Sequence, residues 1–157
     1  MLDMSRHGLP VADRLLIREL VDRYNDIINH REWTALTSLF TPDAVWEMEG
    51  TTALRFEGAP KIAGAIRWNV SRQAALVQIG SGVVIEPSGL DRASVRSSVL
   101  EFARAREDEP GIHTAGTFQD QVIKQLDGVW RFAHRVFRVR YTESLPGQGE
   151  IHENRAS

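Results

Sequence analysis

Between Leu76 and Tyr141 the chain carries four long segments of β-branched and aromatic residues: Leu76–Glu86, Ala93–Arg106, His113–Gln125 and Val129–Tyr141. Only short turns separate them, at Pro87-Ser88-Gly89, Asp108-Glu109-Pro110-Gly111 and Asp127-Gly128. Connections this short join antiparallel neighbours, because a parallel return needs a crossover of about a dozen residues or more. Leu126-Asp127-Gly128-Val129 is itself a hairpin signal. Helical spacing is confined to the first half. From Val11, the residues Ile17, Leu20, Val21, Tyr24 and Ile28 share one face, with Arg14, Arg18, Asp22 and Arg23 on the other, and this helix ends near Asn29. A second helix is expected from Glu32 to Leu39, turning Trp33, Leu36 and Phe40 inward until Pro42 stops it. A strand from Ala44 to Met48 and another from Thr52 to Phe56 form a short hairpin around Glu49-Gly50. Gly58-Ala59-Pro60 then opens a third helix carrying Ile62, Ile66, Trp68 and Val70. Helices first and antiparallel strands after predict an α+β fold, a curled antiparallel sheet wrapped around the N-terminal helices. Gly80 and Gly82 are the expected bend points; no helix start follows them, so a phosphate-cradling loop is not the better reading.

At 157 residues the chain reads as a single domain, 1–157, with a core over about 11–142, a loose lead-in over 1–10 and a polar tail over 145–157. The net charge of −2 gives no basic field for nucleic acid. No apolar run is long enough for a bilayer, and MLDMSRHGLP lacks the apolar core of a signal peptide, so a cytoplasmic protein without a membrane partner is expected. The absence of cysteine excludes disulfides, thiolate nucleophiles and iron–sulfur ligation. The histidines (His7, His30, His113, His134 and His152) show no metal-ligand spacing, and no nucleophile elbow, phosphate loop or dinucleotide fingerprint occurs. Neither a metal nor an organic cofactor is therefore expected. Asn69-Val70-Ser71 is a formal glycosylation acceptor, but it lies within a predicted helix.

Strand parity shows which polar residues travel with apolar ones. Val95, Ser97, Val99, Glu101, Ala103 and Ala105 share a face, which makes Glu101 its one carboxylate. Ala133, Arg135, Phe137, Val139 and Tyr141 share another, placing a guanidinium among apolar neighbours. Gln78 travels with Leu76, Gly80 and Val84. An unpaired buried charge is costly, so Glu101 and Arg135 either pair, reach water at a cavity mouth, or work together inside a pocket. In the last case Glu101 moves a proton and Arg135 stabilises developing negative charge.

The stretch YNDIINHREWTALTSLFTPDAVW, from Tyr24 to Trp46, resembles the opening of the SnoaL-like branch of the nuclear transport factor 2-like superfamily. The Phe56-Glu57-Gly58 step into a helix and the ending GTFQDQVIKQLDGVWRFAHR extend the resemblance over about Leu15 to Tyr141. It implies a cone-shaped α+β domain with one deep apolar pocket, similar to scytalone dehydratase, hexachlorocyclohexane dehydrochlorinase and bile acid 7α-dehydratase. In that group an Asp at the end of the first helix and a His on the third strand form the usual dyad. The corresponding positions here hold Asn29 and Gln78, with Asp26 and His30 close enough in register to be alternatives to Asn29. The family's late-strand Arg maps to Arg135, its pocket aromatics to Trp46 and Phe118, and Glu101 lies near a further acid or His position of some members.

Two functions follow as expectations. The first is a cofactor-independent dehydratase, isomerase or cyclase acting on a hydrophobic, cyclic small molecule. Glu101, Arg135, Asn29 and Gln78 would act on it, and Tyr24, Trp46, Trp68, Leu76, Val99, Phe118 and Val139 would form the binding walls. The second is a non-catalytic binding protein or partner subunit with the same pocket. A water-activating epoxide hydrolase is weaker, since it needs more inward acids than Glu101. Strand edges and mixed outer faces point to a homodimer or homotrimer.

Overall fold

Pro10 precedes α1 (Val11–His30), whose inner stripe buries Ile17, Leu20, Val21, Tyr24, Ile27 and Ile28. Our computed structural model describes residues 8–50, 52–147 and 149–152. The expected lead-in therefore lies largely, and the polar tail in part, outside the described residues. Arg31 closes α1 in the left-handed conformation, φ 57°. The expected second helix is shorter than its pattern suggests: α2 (Trp33–Leu36) tightens into a 3₁₀ turn, Thr37–Leu39, where the Ser38 hydroxyl donates back to the Ala35 carbonyl at 2.6 Å. β1 (Phe40–Glu49) starts earlier than expected. It takes in Pro42 because its register with a neighbouring strand slips between Phe40 and Val45, leaving the proline no ladder bond to donate. β2 (Leu54–Glu57), α3 (Ala59–Ser71), β3 (Ala75–Pro87), β4 (Arg92–Arg104), β5 (Gly111–Lys124) and β6 (Trp130–Leu145) follow.

The six strands form one sheet in the order β2-β1-β6-β5-β4-β3. One pairing departs from the antiparallel expectation. β6 returns beside β1 in the same direction, through a connection long enough to hold α3 and four strands, so the sheet is mixed. Its curl comes from bulges. The β3–β4 register shifts between Ser81 and Val84, where Gly82 adopts φ 67°, and β5–β6 shifts beside Ala133 and again beside Arg140. These last two shifts correct the face assigned to β6 from alternation. Phe132, not Ala133, joins Arg135 and Phe137 inside, and Tyr141 crosses to the outer surface. β4 pairs with β5 without interruption over Arg92–Ala103, and there alternation reads true: Val95, Ser97 and Val99 are buried and Glu101 points the same way.

Helix α1 lies along β3, the sheet edge, and covers its unpaired backbone groups. Arg14 donates to the Ile85 carbonyl, Arg18 to Val83 and Arg31 to Gln73, while the Asn29 amide binds both main-chain groups of Gln78. Arg14 and Arg18, expected on the outer face of the helix, are thus edge covers. Gly80 permits the approach, since a Cβ there would run into the Asn25 side chain. At the other end of α1, buried Asp13 accepts hydrogen bonds from Trp130 Nε1 (2.8 Å) and Lys124 Nζ (2.9 Å), which hold its carboxyl below the ordinary carboxylate range. Among the described residues no helix is long and apolar enough to cross a membrane.

One bend glycine and one helical glycine separate conformational need from packing. Gly82→Ala forces a side chain into the left-handed region and is expected to cost roughly 1–2 kcal/mol. Gly64→Ala, in α3 with nothing near the added methyl, is expected to gain about 0.5–1 kcal/mol. Urea denaturation of both variants checks the pair; equal effects would mean that the Gly82 bulge is not required.

Candidate functional site

Above the inner face of the sheet, between α1, α3 and the β1–β2 hairpin, lies a cavity of about 530 Å³. Of the walls expected from the sequence, Tyr24, Trp46, Trp68 and Phe118 line it, together with Gln78 and Glu101. Sequence reasoning did not assign Met48, Phe56, Ile66, Asn69 or Phe137 to the lining. Alternation could have added Met48, two residues from Trp46, and Phe137, two from Arg135, which share a face with them. Leu76 and Val99 are buried in the core rather than on the lining, and Val139 packs against Gly50 of the β1–β2 turn. Trp68 stands at the rim, 63% exposed, with the Arg72 guanidinium over its ring at 4.6 Å.

A relay of side chains fixes the polar corner of this cavity. Asn29, in the last turn of α1, accepts from the Gln78 backbone N–H (2.7 Å) and donates to the Gln78 carbonyl (2.8 Å). Both of its polar groups are thereby engaged on the β3 backbone, and the substrate-orienting position expected of Asn29 is corrected: it lies outside the cavity. Gln78 stands directly opposite Glu101 across the β3–β4 pair, and its Nε2 donates to Glu101 Oε2 at 2.5 Å. Burial pushes the Glu101 carboxyl above its ordinary value, while the Gln78 bond draws it part of the way back. Among the described residues no guanidinium or ammonium pairs with Glu101 and no Lys, Arg or His lines the cavity. The Tyr24 hydroxyl belongs to the same corner. Burial raises it to about 12, with Arg135 and the Trp46 indole N–H opposing and Glu101 adding to the rise. That indole N–H comes near the phenol but makes no hydrogen bond of ordinary geometry.

Arg135 corrects the other half of the expectation. It is wholly buried and lies behind the cavity wall, not in it. Its Cζ sits 3.7 Å from the Phe118 ring centroid, 4.1 Å from Tyr24 and 4.2 Å from Phe132, and Nη1 donates to Asp120 Oδ2 at 3.2 Å. Asp120 went unassigned in the sequence, although it lies two residues past Phe118 and pairs with Arg135 in the bulged register. Burial outweighs the guanidinium's pull and raises the Asp120 carboxyl to about 7; the same burial lowers Arg135. Arg135 Nε and Nη2 and Asp120 Oδ1 have no hydrogen-bond partner among the described residues. The alternatives at the end of α1 both face outward: exposed His30 contacts exposed Asp26 at 3.1 Å. His134 approaches Glu47 on the outer side at 3.5 Å, and His113 stacks on Phe102 with centroids 4.4 Å apart. No group of three His, Cys, Asp or Glu side chains among the described residues is arranged to hold a metal ion.

A curled sheet closing with helices around an apolar cavity that holds one uncompensated acid defines a cone-shaped α+β domain of the nuclear transport factor 2-like class. The SnoaL-like domain family model matches residues 10–136, and the chain belongs to that family. Among solved structures it is similar to hexachlorocyclohexane dehydrochlorinase LinA-type3 from Novosphingobium barchaimii LL02. The two are 22% identical, with coverage of 91% of this chain and 97% of that one and a TM-score of 0.78. The type 2 hexachlorocyclohexane dehydrochlorinase is 23% identical, with coverage of 87% and 91% and a TM-score of 0.78. A protein assigned as a scytalone dehydratase from Novosphingobium aromaticivorans DSM 12444 is 20% identical, with coverage of 94% and 97% and a TM-score of 0.76. At these identities the likeness is one of fold. No curated protein matches the chain.

The buried ion pair has a thermodynamic signature. Asp120→Leu or Arg135→Met leaves the other charge buried alone and is expected to cost roughly 3–5 kcal/mol. The double variant is expected to recover most of that loss, because it removes both desolvated charges. Denaturant midpoints of the three variants check the cycle; additive losses would mean that the two side chains do not act as a pair.

Proposed function

We propose that this protein is a cofactor-independent proton-transfer enzyme of the lyase or isomerase type, acting on a hydrophobic, cyclic small molecule held in the apolar cavity. The observation that carries this reading is Glu101: a carboxylate on the cavity wall, with its pKa raised by burial, held by Gln78 and, among the described residues, opposed by no cation. A base in such a place is less hydrated than in water and better matched to abstracting a proton near neutral pH. Gln78 orients Glu101, and Asn29 fixes Gln78 by locking its backbone. Donors for a developing oxyanion come from the Tyr24 hydroxyl and the Trp46 indole, not from Arg135, which acts through the Tyr24 and Phe118 rings it supports. The names of the solved relatives, a dehydrochlorinase and a dehydratase, agree with elimination chemistry in this fold.

A binding function is the second reading. It is favoured by Asn29 and Gln78 standing where the family dyad would be, both amides being engaged within the protein.

Solvent exchange distinguishes the two readings without a known substrate. Hydrophobic cyclic ketones incubated with the protein in D₂O are expected to exchange α-protons for deuterium, followed by NMR. Glu101→Gln is expected to slow exchange by roughly 10²-fold or more while leaving affinity nearly unchanged. Phe118→Leu is expected to act mainly on affinity. Ketones that bind but never exchange would favour the binding function.

The pH dependence has a definite sign. Glu101 must be ionised to accept a proton, so the exchange rate rises with pH through a midpoint above the ordinary glutamate value. Gln78→Leu removes the bond that stabilises the anion and is expected to move that midpoint higher. A midpoint that stays fixed would remove Gln78 from the catalytic arrangement.

A further inference from the structure

The cavity combines two features that point to the charge of its ligand. Among the described residues Glu101 is the one carboxylate that lines it, and no basic side chain does. Its aromatic lining is dense: Tyr24, Trp46, Phe56, Trp68, Phe118 and Phe137. Aromatic rings carry negative potential on their faces, and a carboxylate in a desolvated site strengthens the attraction for a positive group. The Arg135 guanidinium stays behind the Tyr24 and Phe118 rings with Asp120 at 3.2 Å. Arg72, at the rim, lies over Trp68.

We infer that the ligand of this cavity is a hydrophobic molecule bearing a cationic nitrogen, an ammonium or a protonated imine, which Glu101 and the aromatic walls recognise together. This deepens the proton-transfer reading and rests on it for the role of Glu101. It also addresses a gap in that reading, since no lining side chain offers a positive charge to a developing carbanion. In a protonated imine the substrate brings its own. As the proton passes from the neighbouring carbon to Glu101, the electron pair of the broken C–H bond forms a C=C bond. The C=N π pair then settles on nitrogen, leaving a neutral enamine. An acid in a cavity without cations suits that charge flow better than it suits an enolate.

The test compares benzyltrimethylammonium with its neutral isostere neopentylbenzene, titrated against the full chain by quenching of tryptophan fluorescence. The cation is expected to bind about tenfold more tightly or better. In Glu101→Gln that preference is expected to shrink to within about threefold, the neutral compound binding much as before. Equal or weaker binding of the cation to the unmodified protein would overturn the inference, and this comparison needs no variant to fold. A preference that survives in Glu101→Gln would also overturn it, because the carboxylate would then play no part. No preference in the unmodified protein together with intact ketone exchange would sink the charge assignment alone. Absence of exchange with the preference intact would instead sink the proton-transfer chemistry.

Discussion

The hydrogen bonds from Asn29 to the Gln78 backbone join the end of α1 to the edge of the sheet, and the polar corner of the cavity depends on that junction. Two short bonds hold β3 at one height relative to the helix. Gln78 then presents its amide to Glu101 on the next strand at 2.5 Å. An amide suits this position because it supplies a donor and an acceptor at once, which an aspartate could not do for both an N–H and a C=O. The site is therefore positioned by secondary structure on three sides, α1, β3 and β4, rather than by loops. The same helix binds two further carbonyls of β3, Ile85 and Val83, with Arg14 and Arg18, and Arg31, just past its end, binds the Gln73 carbonyl ahead of the strand.

Behind the cavity, the Arg135–Asp120 pair among Tyr24, Phe118 and Phe132 serves a different end. Burying both charges costs more than their single hydrogen bond returns, and both ionisations shift accordingly. What the arrangement provides is backing for the aromatic wall: a planar cation packs against three rings, two of which, Tyr24 and Phe118, also line the cavity. The pair thus backs the site without entering it, and among the described residues Glu101 remains the only carboxylate on the lining.

Most of the fold was legible because its signals were local. Helical spacing marks α1, Gly58-Ala59-Pro60 marks the start of α3, and uninterrupted alternation in β4 turned Glu101 inward as observed. Legibility stopped where register changed. Two bulges in β6 re-aim its side chains, and a bulge is a property of paired strands, not of one segment read alone. The first shift sets Asp120, not Gln119, opposite Arg135 and so hides that partnership from a segment read alone. Arg135 does face inward as alternation predicts, but the Tyr24 and Phe118 rings stand between it and the cavity. The parallel return of β6 beside β1 was hidden for a related reason: it depends on how distant segments meet. Asn29 was placed at the right position along α1, but whether its amide faces a ligand or a backbone is decided by the height of β3.

Everything functional rests on the state of one side chain, so its titration is the most direct test. A ¹³C NMR titration of the Glu101 side-chain carboxyl, assigned by its loss in Glu101→Gln, should show a midpoint displaced above the ordinary glutamate value of about 4.3. A midpoint at or below that value would mean that Glu101 is solvated or paired with a cation, and the cavity would then hold no base of the kind proposed.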